Sequence, residues 1–226
     1  MGQKLIIKIC SVIIVVSGVI ILFSTLYPIL SYEWEASRKY PILISPLVDE
    51  ETASFKFSKK DYTRASNWFE GDKSAFDSTD VSYFTLTIPK LKIENAIVTV
   101  GGDDLSESLI QFPGTSVPGK VGNTVIFGHS ILPIYYNPKN YLSIFSTLPN
   151  LKKDDEISLN YDGITYKYLV ENMFEVKAKD IQILEQNKNY PYLTLVTCTP
   201  PGHPLKPKRL IVRARLEPIK AEALVR

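Results

Sequence analysis

The stretch from Ile9 to Leu30 carries no charged side chain and is interrupted only by Cys10, Ser11, Ser17, Gly18, Ser24, Thr25, Tyr27 and Pro28. Such a run matches the roughly 20 residues needed to cross the hydrocarbon core of a bilayer, and it is longer than the apolar heart of a cleaved signal peptide. No convincing small-x-small cleavage site lies between Leu26 and Ser37. An uncleaved anchoring helix is therefore expected. Lys4 and Lys8 lie close to its first end, whereas Arg38 and Lys39 stand further from its second, which favours a cytoplasmic N-terminus and an outward-facing chain from about residue 32. Cys10 falls inside the run and reads as a small apolar residue.

The rest of the 226-residue chain is enough for one compact domain and a tether. A net charge of +2, from 26 basic and 24 acidic residues, leaves no broad electropositive footprint for nucleic acid. Residues 32–82 mix charge, Ser, Thr and isolated aromatics without sustained periodicity and read as an extracytoplasmic tether. Lys59 to Phe69 is its one candidate helix, with Asn67-Trp68-Phe69 docking on the surface of the domain that follows.

From Tyr83 to the end, short β-rich runs dominate: Thr85 to Ile93, Ala96 to Val100, Thr124 to Phe127, Glu156 to Tyr161, Thr165 to Val170, Phe174 to Lys177, Tyr192 to Thr197 and Leu210 to Leu216. Asp162-Gly163 between two of them is a hairpin turn signal. Evenly punctuated short strands point to an all-β barrel or sandwich, with short helical insertions expected at Leu105 to Ile110 and Leu142 to Thr147. Asp103-Asp104 and Asp154-Asp155-Glu156 read as solvated turns.

Cys198 is the only cysteine outside the membrane run, so on an outward-facing domain it has no partner for an internal disulfide and needs a chemical reason. A thiol nucleophile requires a proton carrier and a donor or cation where the acyl oxygen gains charge. Two histidines are available. His129 follows the apolar strand Thr124 to Phe127, where a rigid scaffold delivers side chains into a cleft; His203 sits in the Pro-rich loop Pro200-Pro201-Gly202-His203-Pro204, so His129 is preferred.

In the strand Leu210 to Leu216, alternation sends Leu210, Val212, Ala214 and Leu216 to one face and Arg209, Ile211, Arg213 and Arg215 to the other. If this strand pairs antiparallel with the one ending at Cys198, Arg209 meets the thiol, and Arg213 lies about 13 Å further along at roughly 3.3 Å per residue. Arg213 and Arg215 read as a solvated basic face. A tyrosine-phosphatase loop fails, because Pro204 stands where its arginine must be, and no Cys/His cluster has zinc spacing. No glycine-rich loop opens a helix for phosphate.

The motifs Thr194-Leu195-Val196-Thr197-Cys198-Thr199-Pro200, Phe127-Gly128-His129-Ser130 and Arg209-Leu210-Ile211-Val212 closely resemble those of sortases, as do Ile88-Pro89 and Pro118-Gly119-x-x-Gly122-Asn123. The resemblance covers roughly Thr85 to Leu216. It implies an all-β, eight-stranded sortase-type barrel at residues 83–226, behind a cytoplasmic stub and anchor at 1–31. It also implies a cysteine transpeptidase on the outer face of a bacterial cytoplasmic membrane, which cleaves a Leu-Pro-x-Thr-Gly-like sorting signal of secreted proteins through a thioacyl intermediate. The acyl group then passes to an amine of the cell envelope. Carried over to this chain, Cys198 is the nucleophile, His129 the acid and base, and Arg209 the oxyanion or alignment cation. No cofactor or metal is implied: the segment Gly114 to Asn123 lacks the acidic cluster with which some sortases bind calcium. The absence of an Asp-Pro-aromatic lid motif, and of a second apolar span, argues against the pilus-building type. Glu171 to Tyr190 occupies the place of the loop that shapes the sorting-signal groove. The alternatives are a hydrolytic cysteine endopeptidase of the same fold, and a non-catalytic, surface-anchored β-domain that binds a partner.

Overall fold

The computed structural model describes residues 2–41, 61–68, 83–178, 180–186 and 189–218. Two compact units emerge, Met1–Lys39 and Tyr40–Arg226. The first is one helix, α1 (Gln3–Lys39), which continues well past the end of the apolar run. Within the run and just past its end, the hydroxyls of Ser17, Ser24, Thr25 and Ser31 donate to carbonyls three or four residues earlier. Polar groups that lipid cannot satisfy are thereby satisfied inside the helix. Near its C-terminal end the guanidinium of Arg38 lies 4.0 Å from the ring centroid of Trp34. It is one helix near the N-terminus long and apolar enough to cross a membrane, consistent with a single-pass anchor.

The second unit is built on eight strands: β1 (Tyr83–Ile88), β2 (Ile93–Val100), β3 (Leu109–Gln111), β4 (Gly122–Phe127), β5 (Glu156–Tyr161), β6 (Ile164–Lys177), β7 (Pro191–Thr199) and β8 (Lys208–Leu216). They close into a barrel in the order β1-β2-β3-β4-β7-β8-β6-β5. The β2/β3 and β4/β7 pairs are parallel, and β7/β8 is antiparallel. Asp162 and Gly163 both take positive φ, 52° and 74°, and join β5 to β6 as the hairpin expected from sequence.

Several details differ from the sequence reading. Thr165 to Val170 and Phe174 to Lys177 are one strand, with the pairing to β8 shifted between Val170 and Asn172. That local irregularity breaks the alternation from which two strands were inferred. The expected helix at Leu105 to Ile110 is a turn leading into β3, whose three residues are all buried; Leu142 to Thr147 is also a succession of turns. Short apolar runs do not distinguish helix from strand, and here the ladders to β2 and β4 decide. Of the expected helix over Lys59 to Phe69, residues 59, 60 and 69 lie outside the described residues, and within 61–68 only a 3-10 turn forms, Ala65–Asn67.

Alternation along the strands gives the sheet two buried faces. Ile126, Leu195 and Val212 are fully buried and lie opposite one another across β4, β7 and β8, filling the barrel. Each such side chain contributes roughly 2 kcal/mol relative to exposure. The other face carries Val125, Phe127, Val196, Cys198, Ile211, Phe174 and Val176, and it packs against Ala65, Trp68, Leu105 and Ile183, none of which belongs to a strand. This outer face, roofed by loops, holds the site.

Candidate active site

Strand register brings the three sequence-predicted residues together. Cys198 lies near the end of β7, directly opposite Arg209 on β8. On the other side, Phe127 of β4 pairs with Val196 of β7, and the amide of Gly128 continues the ladder by donating to the Val196 carbonyl at 3.1 Å. Carried one residue further, the parallel register sets His129 level with Cys198. The thiol thus has arginine across the β7/β8 ladder and, on its other side, histidine two residues beyond the end of β4, where neighbouring strands lie about 4.8 Å apart. A β-carbon on Gly128 would stand 2.2 Å from Cδ2 of Phe145, so the position before His129 requires glycine. Thr197 Oγ1 donates to the Gly128 carbonyl at 2.9 Å and ties the two strand ends together.

His129 is 5% exposed. Its Nδ1 lies 3.1 Å from the carbonyl of Ser130, and its Nε2 lies 3.4 Å from Nζ of Lys206. A carbonyl can only accept and an ammonium can only donate, so the network assigns the proton to Nδ1 and the lone pair to Nε2. Burial, reinforced by the Lys206 charge, pulls the imidazole down from 6.5 to about 4. Ser130 works in two directions: its carbonyl orients His129, and its hydroxyl donates to the Cys198 carbonyl at 2.8 Å. The Cys198 thiol is fully buried, and burial pushes its pKa up against the opposing pull of Arg209 and Lys206. Thiol and imidazole are therefore both neutral in this arrangement.

Arg209 is 1% exposed. Its Nη1 donates to the carbonyls of Lys206 and Lys208 at 2.8 and 3.0 Å, and its Nη2 donates to that of Trp68 at 3.2 Å. Nε is buried and has no hydrogen-bond partner. A buried charged donor left unpaired costs free energy, so it marks a position where an acceptor can be bound.

Residues 61–68 pack over this face. Trp68 stacks on Phe127 with centroids 5.5 Å apart and 12° between planes, lies 5.1 Å from the Arg209 guanidinium, and donates from Nε1 to the Tyr62 carbonyl at 2.9 Å. Asp103 clasps the segment: its carbonyl accepts from the amide of Ala65 at 2.9 Å, and its carboxylate accepts from the amide of Ser66 at 2.8 Å and pairs with Arg64 at 3.1 Å. This corrects the reading of Asp103 as a solvated turn residue. Trp68 does dock, as expected, but as buried core above the reactive face; Phe69 lies outside the described residues.

His203 does not join the site through any described contact. It is half-exposed, and its Nδ1 accepts from the amide of Leu205, a bond within its own loop. Arg215 is exposed as expected, but Arg213 is not a solvated charge. It lies 5.7 Å from the ring of Phe174 and lines a cavity of about 450 Å³ with Asn123, Glu171, Gln182, Glu185 and Tyr192. The loop after β6 creates that cavity, and strand alternation alone could not foresee it. Asn123 holds this loop down: its Nδ2 donates to the Ile183 carbonyl at 2.9 Å, and its own carbonyl accepts from Nε2 of Gln186 at 3.1 Å. Ser130 and Lys206 were missed. Ser130 carries a weak signal, its adjacency to His129, whereas nothing local separates Lys206 from Lys208 two residues on.

A family model described as the Sortase domain matches residues 86–217. Sortase A of Streptococcus agalactiae serotype III (strain NEM316) is 26% identical over 133 residues, a match covering 58% of this chain and 51% of that protein. The chain thus spans about half the length of that curated relative. Among solved structures, the lid mutant of Sortase A from Corynebacterium diphtheriae is 27% identical with a TM-score of 0.53, covering 64% of this chain and 75% of the other. Sortase C-1 from Actinomyces oris is 29% identical with a TM-score of 0.52, covering 64% and 77%. With a family model over more than half of its length and solved sortases sharing its barrel, the chain belongs to the sortase family.

Proposed function

We propose that this chain is a membrane-anchored cysteine transpeptidase that cleaves a Leu-Pro-x-Thr-Gly-like sorting signal of secreted proteins and transfers the acyl group to an amine of the cell envelope. In this reading, residues 1–31 form the cytoplasmic stub and membrane anchor, 32–82 the tether and 83–226 the catalytic barrel on the outer side. The observation that carries it is the level placement of His129, Cys198 and Arg209 on adjacent strand ends, with Arg209 Nε buried and unpartnered.

The chemistry follows from those groups. Sulfur attacks the carbonyl of the scissile Thr-Gly bond, and the oxygen that gains charge is met by the free Nε donor of Arg209. His129 Nε2 takes the thiol proton as the sulfur attacks and delivers it to the leaving amine, leaving a thioester on Cys198. An incoming amine then gives its proton to the same nitrogen and displaces the sulfur, which recovers that proton as the thiol. Arg209 stays charged throughout and cannot be the proton carrier. Residues 61–68 must withdraw before a peptide reaches the thiol, so the segment serves as a cover. Its withdrawal also relieves the burial that holds thiol and imidazole neutral.

The test is mass spectrometry of the full chain in detergent with a Leu-Pro-x-Thr-Gly peptide. An acyl adduct on Cys198 that an added amine releases as the amide supports transfer. Release as the free acid alone, with amine present, identifies a hydrolase. Cleavage retained in Cys198→Ala overturns the assignment of the nucleophile.

A further inference from the structure

Lys206 is a half-buried amine that the proposed mechanism does not use. It belongs to the loop between β7 and β8, and this loop is latched at two points and closed by a turn of its own. The Lys206 carbonyl accepts from Arg209 at 2.8 Å, the Leu205 carbonyl accepts from the Tyr62 hydroxyl at 3.4 Å, and the Lys206 amide donates to the His203 carbonyl at 3.2 Å. The side chain points inward, with Nζ 5.1 Å from the Tyr62 ring centroid and 3.4 Å from His129 Nε2.

Transpeptidation imposes one geometric demand on both of its amines: the nitrogen that leaves and the nitrogen that enters must each lie within hydrogen-bond reach of the group exchanging protons with them. The carbonyl of Ser130 engages Nδ1, so that group is Nε2 alone. Nε2 is also the atom against which the Lys206 amine is held.

We propose that Lys206 is a tethered occupant of the amine position of this site, competing with the leaving amine of the sorting signal and the incoming acceptor amine for His129 Nε2. The proposal rests on the transpeptidase reading above and adds to it where the amines stand. Charge is consistent with the placement. The groups facing the Lys206 ammonium are His129, Arg209, Cys198, Asp61 and the Tyr62 ring, and burial lowers its pKa, with Arg209 adding to the effect and Cys198 and Asp61 opposing it. Arg209 already supplies a fixed cation directly opposite the thiol. A second cation there is not needed to favour the thiolate, whereas a primary amine against the base reproduces what the reaction must bring in. Opening the loop frees Nε2 and withdraws the charge that depresses the imidazole.

The test uses the full chain in detergent, the Leu-Pro-x-Thr-Gly peptide and diglycine as acceptor, comparing wild type with Lys206→Met and Lys206→Arg. In Lys206→Met, the diglycine concentration giving half-maximal transfer should fall about tenfold, the effect of removing one competing contact of ordinary strength. Its limiting rate of thioacyl formation should stay within about twofold of wild type. The imidazole of His129, resolved by NMR from the single other histidine, should titrate at higher pH than in wild type. Lys206→Arg keeps the charge and should keep the depressed titration. Unchanged acceptor dependence with unchanged titration in Lys206→Met overturns the proposal. So does loss of thioacyl formation in that variant, which would make Lys206 a cation of the first step. Failure of wild type to form any adduct on Cys198 overturns the transpeptidase reading and this proposal together, and is told apart because the variants are then irrelevant to the deficit.

Discussion

Trp68→Ala tests whether residues 61–68 are a separable cover or part of the barrel's stability. The indole is 1% exposed, stacks on Phe127 and donates to the Tyr62 carbonyl. Truncating a buried tryptophan costs about 3–5 kcal/mol. Of this, the ring pair supplies about 0.5–1.5 kcal/mol and the hydrogen bond about 1 kcal/mol, with burial the remainder. Trp68 belongs to no strand, and the ladders of β4, β7 and β8 close without it. The loss falls on the closed state, so it should appear in local opening of the segment, which bares the thiol with the barrel intact, as well as in global unfolding. A change of 3–5 kcal/mol in the opening equilibrium multiplies the open population roughly 10²- to 4 × 10³-fold. Cys198 is fully buried beneath this cluster, so the second-order rate of its alkylation by iodoacetamide at neutral pH should rise by that factor at temperatures well below the thermal midpoint of the barrel. An unchanged labelling rate refutes the cover. A midpoint lowered by the full amount, with no gain in labelling, makes Trp68 ordinary core.

His129 should make folding sensitive to acid. Its folded pKa of about 4 lies below the 6.5 of the free imidazole, so the unfolded chain binds more protons between those values. Stability is fully present above about pH 6.5 and falls as pH drops toward 4, by at most about 3 kcal/mol; His129→Gln should flatten that window in urea titrations across pH, and an unaltered slope speaks against a buried neutral imidazole. Ser130→Ala removes the hydroxyl that holds the Cys198 carbonyl at 2.8 Å, and should cost about 1–2 kcal/mol by denaturant midpoint with peptide cleavage slowed about tenfold. Wild-type cleavage in that variant would show that this bond does not position the thiol. Arg209→Lys should lose at least about 100-fold in cleavage, because an ammonium cannot meet three carbonyls and present a further donor in the plane of the same group. Near-normal turnover would reduce Arg209 to a structural charge.

The apolar N-terminal helix, most strands, the turn at Asp162-Gly163 and the pairing of Cys198 with Arg209 are legible in the sequence, because each follows from a local pattern or from a short antiparallel connection. Alternation within β8 separates the barrel-filling Val212 and Ala214 from Arg209 and Ile211 without knowledge of any other strand. What alternation cannot supply is the occupant of the outer face. Arg213 shares the period of Arg215, yet the loop after β6 half-buries one and leaves the other exposed.

The level placement of His129 with Cys198 depends on a parallel register between β4 and β7, two strands separated by more than sixty residues, which only the closing of the barrel sets. Trp68 and Lys206 reach the site from segments with no period of their own, and their positions are chosen by the surfaces they cover and by hydrogen bonds to distant carbonyls. The chain's residue order by itself determined where it is apolar, where it alternates and which groups carry chemistry. The folded barrel decided which of those groups share one crevice and in what charge state, because both depend on contacts between residues far apart along the chain.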